Sequence, residues 1–218
     1  DPVHKITIMP RGRALGYTMV LPDQDKYSTT RSEMLNQLAY MLGGRAAEEL
    51  IFHDPTTGAA NDIEKATSVA RSMVTQFGMT ERLGAIKYGQ EQSEVFLGRD
   101  MGHTRDYSEE VAAAIDEEVR GFIEAAHQEA YDVLVNNREI LDAMVLALLE
   151  RETLAKAEIE EIFAELKLQS PRPAWAGSAR RAPDTRGPIP FPPASSNGHS
   201  ASSAIEPALN ESRDPDAQ

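Results

Sequence analysis

The sequence predicts a mainly α-helical fold with a β-hairpin at its N-terminus and a disordered C-terminal tail. Apolar residues recur at helical spacing between about residues 31 and 166, whereas strand-like alternation is confined to the first thirty. Proline partitions the chain as well: of 13, four lie in residues 1–55, none in 56–170 and nine in 171–218. A stretch without proline that long can hold uninterrupted helices, and a proline-rich end cannot.

Val3 to Met9 is rich in β-branched residues, and Pro10 stops it. Arg11-Gly12-Arg13 can turn, and Leu15, Tyr17, Met19 and Leu21 then alternate with smaller or polar residues until Pro22. A lone hairpin is marginal in water, so this one must lie on the helices that follow or add to strands outside these residues. Thr30-Arg31-Ser32-Glu33 is a capping box that opens a helix ending near Phe52, with Leu35, Leu38, Leu42 and Ala46 on one face. Gly43-Gly44 inside it costs about 1 kcal/mol per glycine relative to alanine, which predicts a closely packed neighbour there. A second helix is expected from near Asp62, with Ile63, Ala66, Ala70, Met73, Val74 and Phe77 as its stripe and Gly78 as its stop. Met79 to Tyr107 reads as loops with a short strand, including Val95-Phe96-Leu97. Ser108 then caps a helix of about 28 residues, roughly 42 Å long, that turns at Asn136-Asn137. Ile140 to Leu148 and Ile159 to Leu166 mark two more, and these last three amphipathic helices read as a bundle.

The tail, residues 169–218, has few large apolar side chains and cannot bury enough surface to offset the entropy of ordering. From Pro171 it carries as many basic as acidic residues, so the formal net charge of −13 belongs to the part before it. So acidic a domain argues against a nucleic-acid partner, because phosphate affinity needs clustered Lys and Arg. No run approaches the roughly 20 apolar residues that span a bilayer. There is no cysteine, so any metal must use His, Asp or Glu.

The five histidines, His4, His53, His103, His127 and His199, are too far apart for any two to reach one ion from a single helix, and each reads as a surface or packing residue. Neither Gly43-Gly44-Arg45 nor Arg11 to Gly16 completes a phosphate-binding loop, so these residues should not bind ATP. Glu48 and Glu49 are adjacent on a helix and point about 100° apart, so they cannot both face one ligand. Composition reads them as a solvated face. Asp62, after Gly58-Ala59-Ala60, reads on chemistry alone as a capping carboxylate at a helix start.

As a group these residues resemble a known family. Asp1-Pro2-Val3-His4-Lys5-Ile6-Thr7-Ile8-Met9-Pro10-Arg11-Gly12, Ala14-Leu15-Gly16-Tyr17-Thr18, Leu42-Gly43-Gly44-Arg45-Ala46-Ala47-Glu48-Glu49 and Thr57-Gly58-Ala59-Ala60-Asn61-Asp62-Ile63 are similar, in that order, to the peptidase domain of FtsH-type ATP-dependent zinc metalloproteases. The likeness continues to about Leu166. It implies a helical zinc peptidase domain over residues 1–168, truncated at its N-terminus, before the tail at 169–218. It implies a homohexamer at the cytoplasmic face of the plasma membrane that degrades unfolded or membrane proteins processively, with ATP and Mg2+ bound in an AAA+ domain and membrane contact through an N-terminal segment, both outside these residues.

The family holds Zn2+ with two histidines of a His-Glu-x-x-His helix and an aspartate further along. Asp62 matches the aspartate, Glu48 matches a carboxylate that orients a ligand histidine, and Ala14, Leu15, Gly16, Tyr17 and Thr18 match a strand that pairs with substrate backbone. The His-Glu-x-x-His helix lies upstream of Asp1 in the family, and no such motif occurs in the 218 residues. The fragment alone is therefore expected to be soluble, to retain no zinc and to cleave nothing. The alternative is a non-catalytic oligomerisation or adaptor module with a peptidase-like fold.

Overall fold

The computed structural model describes residues 2–10, 16–21, 27–89, 106–184 and 186. It is mainly helical, with a small antiparallel sheet, and its first compact unit is Asp1–Pro183. The elements are β1 (Val3–Thr7), β2 (Tyr17–Val20), α1 (Arg31–Phe52), a 3-10 turn (Thr57–Ala59), α2 (Ala60–Thr75), α3 (Glu109–Asn136), α4 (Arg138–Arg151), β3 (Thr153–Ala155), α5 (Lys156–Ile162) and a last 3-10 turn (Phe163–Glu165).

The helices begin where capping chemistry places them. Thr30 Oγ1 accepts from the Glu33 amide at 3.2 Å while Glu33 Oε2 accepts from the Thr30 amide at 2.7 Å, so the capping box at α1 is complete. Ser108 caps α3 by accepting from Val111 N at 3.3 Å. α2 ends before Gly78, whose φ of +59° turns the chain back; a Cβ there would lie 2.6 Å from Ala85 Cα.

One core lies between α1, α2 and α3. Leu38, Met73, Val74 and Ile115 are sealed from solvent, with Leu42, Ala66, Ala70 and Phe122 around them. Each large side chain so buried contributes about 1.5–3 kcal/mol. A second, smaller core joins the sheet to the last helices through Leu148, Leu154 and Ile159, with Val3 and Ile6 against them. The predicted bundle of the last three helices is therefore divided: α3 packs with α1 and α2, while α4 and α5 cover the sheet. Asn137 makes the break. It is buried at the junction of α3 and α4, where Nδ2 donates to the carbonyls of Val133 (2.9 Å) and Lys167 (3.2 Å) and Oδ1 accepts from Lys167 N (2.8 Å).

The hairpin is present, and its company was not foreseen. The sheet order is β2-β1-β3, so β1 is central and pairs antiparallel with both neighbours, Ile6 opposite Thr18 on one side and Leu154 on the other. Thr7 and Thr153 share a hydroxyl contact of 2.8 Å, and Ile8 N donates to Glu152 O at 3.0 Å.

One other expectation changes. Among the described residues, nothing beyond the backbone of α1 itself comes within 4 Å of a Cβ placed on Gly43 or Gly44, so these glycines mark no close contact there. Residues 171–183 lie within the first compact unit, held by polar contacts to α1, α3 and the turn after α2. Hydrogen bonds and one aromatic ring hold this segment, not buried apolar area. Val95-Phe96-Leu97 falls outside the described residues.

Candidate functional site

The site is built at the end of α1, where adjacent carboxylates diverge. Glu48 turns toward the loop that follows. Its Oε2 accepts from Thr56 N at 2.9 Å and its Oε1 from Thr56 Oγ1 at 2.7 Å. Thr56 Oγ1 in turn accepts from Gly58 N at 3.1 Å, capping the 3-10 turn that runs into α2. A Cβ on Gly58 would sit 3.2 Å from Thr56 Oγ1 and 3.7 Å from Glu48 Oε1, so this corner takes a small residue best. Glu49 turns to the other side: Oε1 receives Arg45 Nε at 2.6 Å, and Oε2 lies 2.9 Å from His127 Nε2 on α3, an ionic approach not aligned as a hydrogen bond. The Arg45 bond, and more weakly the charge on His127, hold the Glu49 carboxyl below the usual glutamate range against the opposing effect of burial.

The tether sets the start of α2 and with it Asp62, which lies in the first turn. Its capping role is not realised: Ala59 occupies the N-cap position without a side-chain cap bond, and Asp62 is the third helical residue. Among the described residues Asp62 makes no hydrogen bond or ion pair, and it is exposed. Its carboxylate is therefore unengaged within the described residues.

Bonds from Thr56 N and then Thr56 Oγ1 hold the Glu48 carboxyl below the ordinary glutamate value. Because the folded value is the lower one, the tether is fully present above about pH 4.3, the unfolded glutamate value. It is lost as the pH falls through the lowered folded value. The Thr56 amide resonance should accordingly titrate with a midpoint below the ordinary glutamate range, and Glu48→Gln should abolish that titration. A midpoint at the ordinary value would mean that the tether does not form in solution.

The sequence offers Asp62 as one zinc ligand and no zinc histidine from these residues. Among the described residues no group of three or more His, Cys, Asp or Glu is placed to hold a metal ion. His4 lies in β1, His53 ends α1 with Nδ1 3.0 Å from Glu49 O, His127 is engaged with Glu49, and His103 and His199 fall outside the described residues. Among the described residues Asp62 is thus a single unengaged carboxylate with no second metal-binding side chain grouped with it.

Of the candidate substrate strand, Ala14 and Leu15 fall outside the described residues; Gly16 precedes β2, and Tyr17 and Thr18 lie in it. Gly16 is required by its neighbour, since a Cβ there would approach Thr7 O to 2.5 Å. Leu21 N donates to Pro2 O at 3.4 Å, and alternation then turns the N–H groups of Met19 and Tyr17 toward β1 and those of Val20 and Thr18 away from it. β2 has no partner on that side among the described residues, so its outer edge is open. Among them, too, no hydrogen bond or ion pair links β2 to Glu48 or Asp62. Sequence reading missed Thr56 and the Glu49–His127 approach. A threonine after Pro55 at a helix entry was a signal for the first; nothing local signals the second.

A family model described as Peptidase family M41 matches residues 1–162. The protein named ATP-dependent zinc metalloprotease FtsH in Cutibacterium acnes is 60% identical over 192 residues, 88% of this chain and 27% of its own length. Its namesake in Mycobacterium tuberculosis is 51% identical over 192 residues, again 88% of this chain and 25% of its own. ATP-dependent zinc metalloprotease FtsH 1 of Thermoanaerobacter sp. is 53% identical over 162 residues, 74% of this chain and 26% of its own. The chain thus spans about a quarter of the length of the curated relatives it matches.

Proposed function

Because the chain belongs to peptidase family M41, we propose that it is the peptidase portion of an ATP-dependent zinc metalloendopeptidase and supplies one carboxylate ligand to its metal. The observation that carries this reading is the unengaged carboxylate of Asp62, held at the third position of α2 by the Glu48–Thr56–Gly58 tether. Asp62 would share zinc with two imidazoles of a His-Glu-x-x-His helix that these 218 residues do not contain. Zinc in such a site acidifies a bound water and polarises the scissile carbonyl. Glu48 uses two of its roughly four acceptor positions on Thr56, which leaves capacity to orient a ligand imidazole.

The outer edge of β2, at Gly16, Tyr17 and Thr18, would receive the substrate as an added strand. Pairing of that kind reads main chain and tolerates varied side chains, which suits processive degradation of unfolded or membrane proteins. In the full protein the domain would belong to a homohexamer anchored at the cytoplasmic face of the plasma membrane. ATP and Mg2+ would act in a separate ring that unfolds and threads the substrate. Among the described residues no helix is long and apolar enough to cross a membrane, so the anchor would lie elsewhere.

Zinc content and casein hydrolysis, measured on the purified 218-residue chain and on protein that also carries the His-Glu-x-x-His segment, test the reading. The shorter chain should hold no stoichiometric zinc and cleave nothing, and the longer one should do both. A longer protein that assembles without zinc or cleavage would instead favour an oligomerisation or adaptor module.

A further inference from the structure

Residues 171–183 contribute nothing to either core, and among the described residues none of them is buried. They are nevertheless placed by specific contacts. Arg172 Nη2 reaches both carboxylate oxygens of Glu129 on α3, at 2.6 and 2.5 Å, while Nη1 reaches Ser32 O at 3.2 Å and Asn36 Oδ1 on α1. This pair is only about a quarter exposed (25% and 28%), so water screens it weakly.

Three residues on, the Trp175 ring lies 4.7 Å from the Arg31 guanidinium, whose other neighbour is the Phe122 ring at 5.5 Å. Arg31 Nε is fixed by Met79 O at 3.1 Å. Past Trp175, Glu81 accepts from Ala179 N at 2.7 Å and from Ser178 Oγ at 3.3 Å. A cavity of about 670 Å3 remains beside Arg172, lined by Ser32, Asn36, Ala125, Gln128 and Glu129 among others, so the segment does not fill the surface it lies on.

We propose that the surface formed by Arg31, Asn36, Phe122 and Glu129 is a peptide-docking groove that reads an arginine followed three residues later by a tryptophan, and that residues 171–179 are its ligand, a latch able to leave without unfolding the domain. The chemistry selects both side chains. A guanidinium donates along two directions at once, to Glu129 from one nitrogen and to α1 from the other, which a lysine ammonium on its single axis does not reproduce. The indole face completes a ring–cation–ring stack on Arg31. Pro171 and Pro173 flank the arginine, and in the three-residue-per-turn extended form that prolines favour, positions 172 and 175 fall on the same side. That stiffness lowers the ordering cost of docking.

Trp175 is the only tryptophan of the chain, so binding can be read without a label. In the full chain carrying Arg172→Ala and Trp175→Ala, a synthetic peptide of residues 169–183 should bind saturably, with a shift in its own tryptophan emission. Arg172→Lys in the peptide should weaken it at least tenfold, Glu129→Ala in the protein should abolish it, and the unsubstituted chain, its groove already filled, should bind it at least tenfold more weakly. In a second measurement, Glu129→Ala alone should move Trp175 emission to that of the free peptide while far-UV circular dichroism stays unchanged. The proposal is overturned if the peptide does not bind, if it binds the unsubstituted chain equally well, if Glu129→Ala leaves binding intact, or if undocking costs helical content.

Discussion

If the proposed metal role holds, Asp62→Ala in the full-length protein is expected to abolish casein hydrolysis while ATP hydrolysis continues. The loss should exceed the roughly 100-fold at the upper end of what removing a group that merely orients a metal ligand costs, because three protein ligands and an open position are the minimum for a catalytic zinc. Stability cannot account for such a loss. Asp62 is exposed and makes no hydrogen bond or ion pair among the described residues, so the substitution forfeits only its favourable place in the first turn of α2. That is about 0.3–1 kcal/mol against a typical total of about 5–15 kcal/mol. Zinc content should fall with activity. Asp62→Asn, which keeps the shape and removes the charge, should fail in the same way. Casein hydrolysis that survives Asp62→Ala would remove the residue from the metal site altogether.

The parts of this arrangement that sequence revealed are those governed by local chemistry. Thr30 and Glu33 announce α1, Ser108 announces α3, and the stripe through Leu35, Leu38 and Leu42 is buried as its spacing requires. The divergence of Glu48 and Glu49 follows from helix geometry alone. What sequence concealed depends on residues far apart in the chain. β3 is three residues long and exists because Leu154 can pair beside Ile6, which no window around Thr153 reveals. Asn137 was legible as a turn but not as the pin that sends α4 away from α3, since its partner Lys167 is thirty residues on. Arg172 looked like a residue of a disordered tail because its partners, Asn36 and Glu129, are 136 and 43 residues away. Asp62 was misread for a subtler reason: the cap position fell at Ala59, so a residue with strong capping chemistry was left with nothing to cap.

Thr18→Pro and Tyr17→Pro should separate, although the two residues are neighbours on one strand. The Thr18 N–H faces the open edge of β2, so proline there removes a donor that no strand of the sheet uses, and proline is tolerated at such positions. The Tyr17 N–H faces β1 opposite Thr7, and proline there breaks the ladder next to Gly16, where a Cβ would already meet Thr7 O at 2.5 Å. Tyr17→Pro should therefore lower the unfolding midpoint of the domain, and Thr18→Pro should leave it nearly unchanged. If substrate adds to this edge, Thr18→Pro deletes one main-chain hydrogen bond, worth about 0.5–1.5 kcal/mol net, and the proline ring obstructs the approaching strand as well. Since about 1.4 kcal/mol is tenfold in an equilibrium constant, KM for an unfolded substrate should rise by up to about tenfold from the lost bond alone. Assembly and ATP hydrolysis should persist, because the N–H serves neither the sheet nor the helical core. A Thr18→Pro enzyme with unaltered KM would assign the strand to covering the helices, since an edge that receives substrate cannot lose its central donor without consequence.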